Sequence, residues 1–148
     1  MFKCTLHKLL FLLCIGIAPS LVWADVQVTL FSDINLSSWS GTGNLVDTNE
    51  LCVYRSNTGQ NTYDLSVTEN EGSFNFRAGG YSIPYTVKVN GASVTHGSTH
   101  AMSNASNTSG CGGTPNVTIE VTVLESALSA AMADAGYQTQ LIVTVSMP

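Results

Sequence analysis

Short runs with apolar residues at every second position recur along this chain, and a period of two at that length leaves little room for anything but β-strands. The last run is the clearest. In GYQTQLIVTVSM, Tyr137, Thr139, Leu141, Val143, Val145 and Met147 alternate with Gln138, Gln140, Ile142, Thr144 and Ser146. All but one of the first set are apolar or aromatic, the pattern of a strand with one face on a core. Because this strand is followed only by Pro148, its second edge is expected to lack a hairpin partner. An uncovered edge with large apolar residues invites pairing with another chain.

Earlier runs repeat the pattern. VQVTLF (26–31), TYDLSVT (62–68), SFNFR (73–77), PYTVKVN (84–90) and NVTIEVTV (116–123) alternate, and LCVYRS (51–56) is compact and apolar. Pro84 is read as a strand start, because its nitrogen cannot donate. Turn signals separate the runs: SGTGN at 40–44, SNTGQN at 56–61, AGG at 78–80 and NG at 90–91. The segment 97–115 reads as a long Ser/Asn/Gly loop carrying Cys111. An Ala-rich patch, ESALSAAMADAG at 125–136, reads as one short helical element stopped by Gly136. The expected fold is all-β, an immunoglobulin-like β-sandwich of about seven strands with one short helical turn.

Residues 1–24 read as a signal peptide and not as part of the fold. Lys3, His7 and Lys8 form a basic start, residues 9–17 an apolar centre, and Val22-Trp23-Ala24 a cleavage site. The apolar centre is shorter than the roughly 18 residues of a membrane span. Cys14 does not suit a lipoprotein, since Leu13 stands where a small residue belongs. The expected product is a single soluble domain, residues 25–148, exported through the periplasm to the cell surface or beyond.

In that domain ten acidic residues face three basic ones, Arg55, Arg77 and Lys88. No basic patch is available for phosphate backbones, so nucleic acid is not an expected partner. Cleavage removes Cys4 and Cys14 and leaves Cys52 and Cys111. Two cysteines in an exported chain with no CxxC spacing are expected to form one disulfide.

No catalytic or metal-binding set is expected, and no cofactor. His96 and His100 have the spacing that unites two imidazoles on a helix, but THGSTH is Gly- and Ser-rich and no third ligand stands nearby in sequence. No serine sits in a GxSxG elbow. Glu69 and Glu71 in TENEG read as solvated turn charges. Trp39 and Tyr54, Tyr63, Tyr81 and Tyr85 would suit a sugar site or, more ordinarily, a sandwich core and rim. The Asn-X-Ser/Thr matches at Asn35, Asn104, Asn107 and Asn116 are of the kind that arise by chance in a chain so rich in these residues.

Four ordered blocks resemble exported pilus subunits of the spore coat protein U-like family, the archaic branch of chaperone–usher pilins. They are INLSSWSGTGNL, LCVYRSNTGQNTYDLSV, GGYSIPYTVKVNG and DAGYQTQLIVTVSMP, together covering roughly Ile34 to Pro148. The chain departs from the pattern in having no cysteine before Cys52 and only a short segment, Asp25 to Asp33, before the core.

The resemblance implies a sandwich lacking one strand, with a hydrophobic groove in its place. It implies a periplasmic chaperone that fills the groove first, an outer-membrane usher, and neighbouring pilus subunits that fill it during assembly by strand addition. The terminal strand, through Tyr137, Leu141, Val143 and Val145, would border the groove. VQVTLF would be the donated strand, inserting Val26, Val28 and Leu30, or else an ordinary first strand of its own sandwich, as in a tip subunit. The rival expectation is a stand-alone or tip binding domain, adhesin-like, with a surface receptor and possible carbohydrate ligand.

Overall fold

The structure is a computed structural model that describes residues 25–29, 33–36, 38–56, 59–78, 80–131 and 137–148. The expected signal peptide, Leu30 and Phe31 lie outside the described residues.

The chain is all-β and antiparallel, as its alternation requires. Its strands are β1 (Val26–Thr29), β2 (Leu45–Arg55), β3 (Tyr63–Glu69), β4 (Asn75–Ala78), β5 (Tyr81–Pro84), β6 (Thr86–Val89), β7 (Ala92–Val94), β8 (Thr99–Met102), β9 (Val117–Val123) and β10 (Leu141–Ser146). One sheet runs β1-β2-β9-β6-β7, a second runs β10-β3-β8, and β4-β5 form a separate hairpin. The first four strands of the larger sheet follow the A-B-E-D order of an immunoglobulin sandwich, and β10-β3 follow F-C. The G position, beyond β10, has no strand among the described residues.

The core lies between the two larger sheets. β3 and β9 bury every second residue: Tyr63, Leu65 and Val67 from one sheet meet Val117, Ile119, Val121 and Val123 from the other. Each such side chain contributes about 1.5–3 kcal/mol relative to exposure. On β2 the alternation fails, and Leu51, Cys52 and Val53 are all fully buried. Ser106 pairs with the edge of β2 here through the Arg55 N–H and the Val53 carbonyl, and the turn 109–113 that follows is tied to β2 covalently. Cys52 and Cys111 form a disulfide, with Cα atoms 5.8 Å apart. Asn116 adds a second tie: its side-chain oxygen accepts from the Val53 N–H at 2.8 Å and its amide donates to the Val53 carbonyl at 2.9 Å.

Around Cys111 the backbone coils with the wrong hand. Gly110, Cys111 and Gly112 have φ of 61°, 54° and 62° within a 3-10 turn, Ser109–Gly113. Glycine adopts this region freely and cysteine does not, so the flanking glycines make the turn accessible. The Asn90-Gly91 hairpin between β6 and β7 is the ordinary case, with φ of 49° and 80° as its two-residue turn requires.

Several local expectations need correcting. The supposed loop 97–115 contains β8, which pairs with β3 through Tyr63↔Met102 and Leu65↔His100. Pro84 ends β5 rather than starting a strand; the Tyr85 N–H donates to the Phe74 carbonyl beside β4, and β6 begins at Thr86 in the other sheet. Pro84 opposes Asn75 at the end of a two-stranded hairpin, where its missing N–H leaves no ladder bond unmade. The short helical turn expected in the Ala-rich patch is present as α1 (Glu125–Ser129), with the Glu125 N–H donating to the Asn44 side chain, while residues 132–136 lie outside the described residues.

Candidate functional site

The alternation of the last strand places Leu141, Val143 and Val145 on the core side of β10, and all three pack against the core. Each is only half-buried, whereas their counterparts on β3 and β9 are sealed. The cause is topological. β10 pairs with β3 along its whole length, from Leu141↔Glu69 to Ser146↔Asp64, and with no strand on its other side among the described residues. One row of backbone N–H and C=O groups therefore faces outward beside an apolar surface.

The edge of the other sheet adjoins this one. β1 lies near β10 and pairs with the second half of β2: Val26↔Arg55, Gln27↔Tyr54, Val28↔Val53 and Thr29↔Cys52. Val26 and Val28 are half-buried against the same core. The sandwich is thus incompletely closed along one long side, with half-covered apolar residues on both lips.

Further along, the opening deepens. Between residues 33–35 and 139–141 lies a trough of about 470 Å³ over Phe76, Tyr85 and Val121. It continues into a hollow of about 400 Å³ over Ile83, Val123 and Leu128, flanked by Trp39 and Tyr137. Ile34, Asn35, Phe76 and Thr139 line both. On the trough floor Tyr85 stacks on Phe74 and tilts against Phe76, with ring centroids 5.5 and 4.5 Å away, and burial pushes the pKa of its hydroxyl up to about 12.

Polar bonds fix the lip that leads into β10. Gln138 exchanges two backbone hydrogen bonds with Arg77 of β4, both 3.2 Å. The Thr139 hydroxyl donates to the Glu69 carboxylate at 2.7 Å. Glu69 is 6% exposed, not the solvated turn charge its sequence neighbours imply. Burial works to raise its carboxyl, but the bonds from Thr139 and the Glu71 N–H and the charge of Arg77 outweigh it and hold it below the usual carboxylate range. Arg77 also pairs with Glu71.

The other sequence candidates are scattered. His96 sits in a turn, its Nε2 accepting from the Glu69 N–H at 2.9 Å and its ring edge-on to Phe74. His100 lies on β8 with its Nε2 buried. Among the described residues, no group of three or more His, Cys, Asp or Glu is placed to hold a metal ion. Tyr63 and Tyr85 belong to the core, and the Tyr63 hydroxyl donates to Asn104. The Trp39 indole N–H is used internally, donating to the Gly43 carbonyl at 2.8 Å. Only Tyr81 of the five aromatic sugar-site candidates is exposed, so no aromatic platform is assembled.

The sequence alone points to the strand bordering the opening, through Leu141, Val143 and Val145. It does not reveal the floor and the opposite lip, Ile34, Leu36, Phe76, Ile83 and Val123, because these come from separate stretches that only the folded topology unites. Compared with known proteins, the chain matches no family model and no curated protein.

Proposed function

We propose that the chain is an exported structural subunit of a chaperone–usher pilus, which takes an extended strand from another protein into the opening beside β10. The observation that carries this reading is the unpaired edge of β10 among the described residues, at the G position of an otherwise immunoglobulin-like order, with a trough opening beside its first residue, Leu141. Such a site offers main-chain hydrogen bonds along one line and half-covered apolar side chains at alternate positions, Leu141, Val143 and Val145, the two requirements of β-strand addition. A chaperone would occupy the site during export, and a neighbouring subunit would replace it, delivered at an outer-membrane usher. The contact is heterologous, so it joins this chain to the next subunit in one direction and does not close a symmetric pair.

Size-exclusion chromatography of residues 25–148 tests this. Expressed alone, the chain should aggregate or exchange between oligomers; with a periplasmic pilus chaperone encoded beside it, it should elute as a one-to-one complex. A stable monomer that ignores the chaperone would sink the proposal and leave a stand-alone binding domain in its place.

A further inference from the structure

The opening has two walls, and the structure bears on which of them the subunit keeps. We infer that β1 is a permanent wall of the acceptor site, so that this chain receives a strand without giving one and its occupant is a strand of a different protein. The inference rests on the strand-acceptor reading above and names the partner.

Three observations carry it. First, β1 holds the A position in the order β1-β2-β9-β6, while the position without a strand among the described residues is in the other sheet, beyond β10. Second, β1 covers the most deeply buried part of β2. Its partners Cys52, Val53 and Arg55 are 0%, 0% and 3% exposed, and withdrawing β1 would open their edge to water. Arg55 is a buried residue whose guanidinium donates to Thr62 and Gln60, and Val26 of β1 is its partner across the ladder. Third, β1 is pinned at its start, where the Ser56 N–H donates to the Asp25 carbonyl at 3.1 Å and the Asp25 N–H donates to the Ser56 hydroxyl at 2.9 Å. A strand destined for a neighbouring molecule would leave all three arrangements unmade in its own.

The occupant's chemistry follows from the walls. Val26 and Val28 on one side and Leu141, Val143 and Val145 on the other are half-covered and face the same core. They call for a strand with small-to-medium apolar side chains at alternate positions and polar ones between.

A covalent lock tests the inference. Gln27 and Tyr54 are opposed in the β1–β2 ladder, a pairing whose typical Cα separation of about 5.5 Å suits a disulfide. The double variant Gln27→Cys/Tyr54→Cys is exported, oxidised and shown by peptide mapping to carry the engineered bond within one chain beside the native one. Locked and wild-type chains are then unfolded in urea without reductant and refolded with a nine-residue peptide alternating Val and Thr, or with a control in which Ser replaces Val. The expected result is soluble one-to-one complex from both chains in yields within about twofold, and none with the control. If the lock forms only between chains, or if wild type binds the peptide and the locked chain does not, β1 must leave and the inference is overturned while strand acceptance stands. If neither chain binds it, strand acceptance fails as well.

Discussion

The hydroxyl of Thr139 donates to the carboxylate of Glu69 across 2.7 Å, joining the lead-in of the last strand to the end of β3. Glu69 is held below the usual carboxylate range in the folded chain, so the sign of its linkage is fixed. Its contribution is complete above the unfolded value of about 4.3 and is lost as pH falls through the lower folded value. Thr139→Val removes one of the bonds that lower it. The variant should lose about 1.5–3 kcal/mol at neutral pH, as for a hydrogen bond to a charged group. Because its folded value moves up towards the unfolded one, the loss linked to Glu69 on acidification should be smaller than in wild type and complete at a higher pH. Urea unfolding at a series of pH values checks both; an unchanged acid limb would show that Thr139 does not govern Glu69.

Parity on β10 gives a sharp contrast. Val143 faces the core side and Ile142, its neighbour, is 38% exposed on the other. Val143→Asp should prevent formation of the chaperone complex, since an unpaired charge in an apolar site costs several kcal/mol. Ile142→Asp should form it as wild type does. Equal behaviour of the two variants in a pull-down would refute the assigned face.

The disulfide is expected to matter for folding as well as for shape. Cys52–Cys111 spans a sequence separation of 59, and closing a loop of that size stabilises by about 4 kcal/mol in the chain-entropy model. Reduced protein, or Cys52→Ala/Cys111→Ala, should unfold at a correspondingly lower denaturant concentration. A midpoint that does not move under reduction would mean the bond constrains nothing.

Asn116 acts on Val53 as a strand would, with one acceptor and one donor. Asn116→Ala leaves the Val53 N–H and C=O without those partners, on a residue that is fully buried. The expected loss is about 1–3 kcal/mol, and hydrogen exchange at the Val53 amide should accelerate more than at Val67. Protection unchanged at Val53 would contradict this pairing.

How much of the fold is legible in the sequence depends on how each residue is buried. β3 and β9 are plain because each has one sealed face and one wet face, which writes itself as alternation. β8 is hidden because it is a four-residue edge strand, Thr-His-Ala-Met, whose inward residues are only half-covered and exert little demand on composition. The extension of β2 towards Leu45 escapes notice because Asp47, Thr48 and Glu50 look like a loop, yet they pair along β9 from Leu45↔Val123 onward. Glu69 misleads for a related reason: its charge is satisfied by Thr139, seventy positions away, which no local pattern can show.

The left-handed coil at Gly110–Gly112 gives the disulfide a second meaning. A cysteine resists that hand by about 1–2 kcal/mol, and nothing in the local sequence beyond two glycines favours it. Once Cys111 is bonded to a strand that cannot move, however, the turn must approach from the side where its partner sulfur lies. The bond therefore holds over Cys52 a turn whose hand Cys111 alone disfavours, so the covalent link offsets a local backbone cost as well as closing a loop.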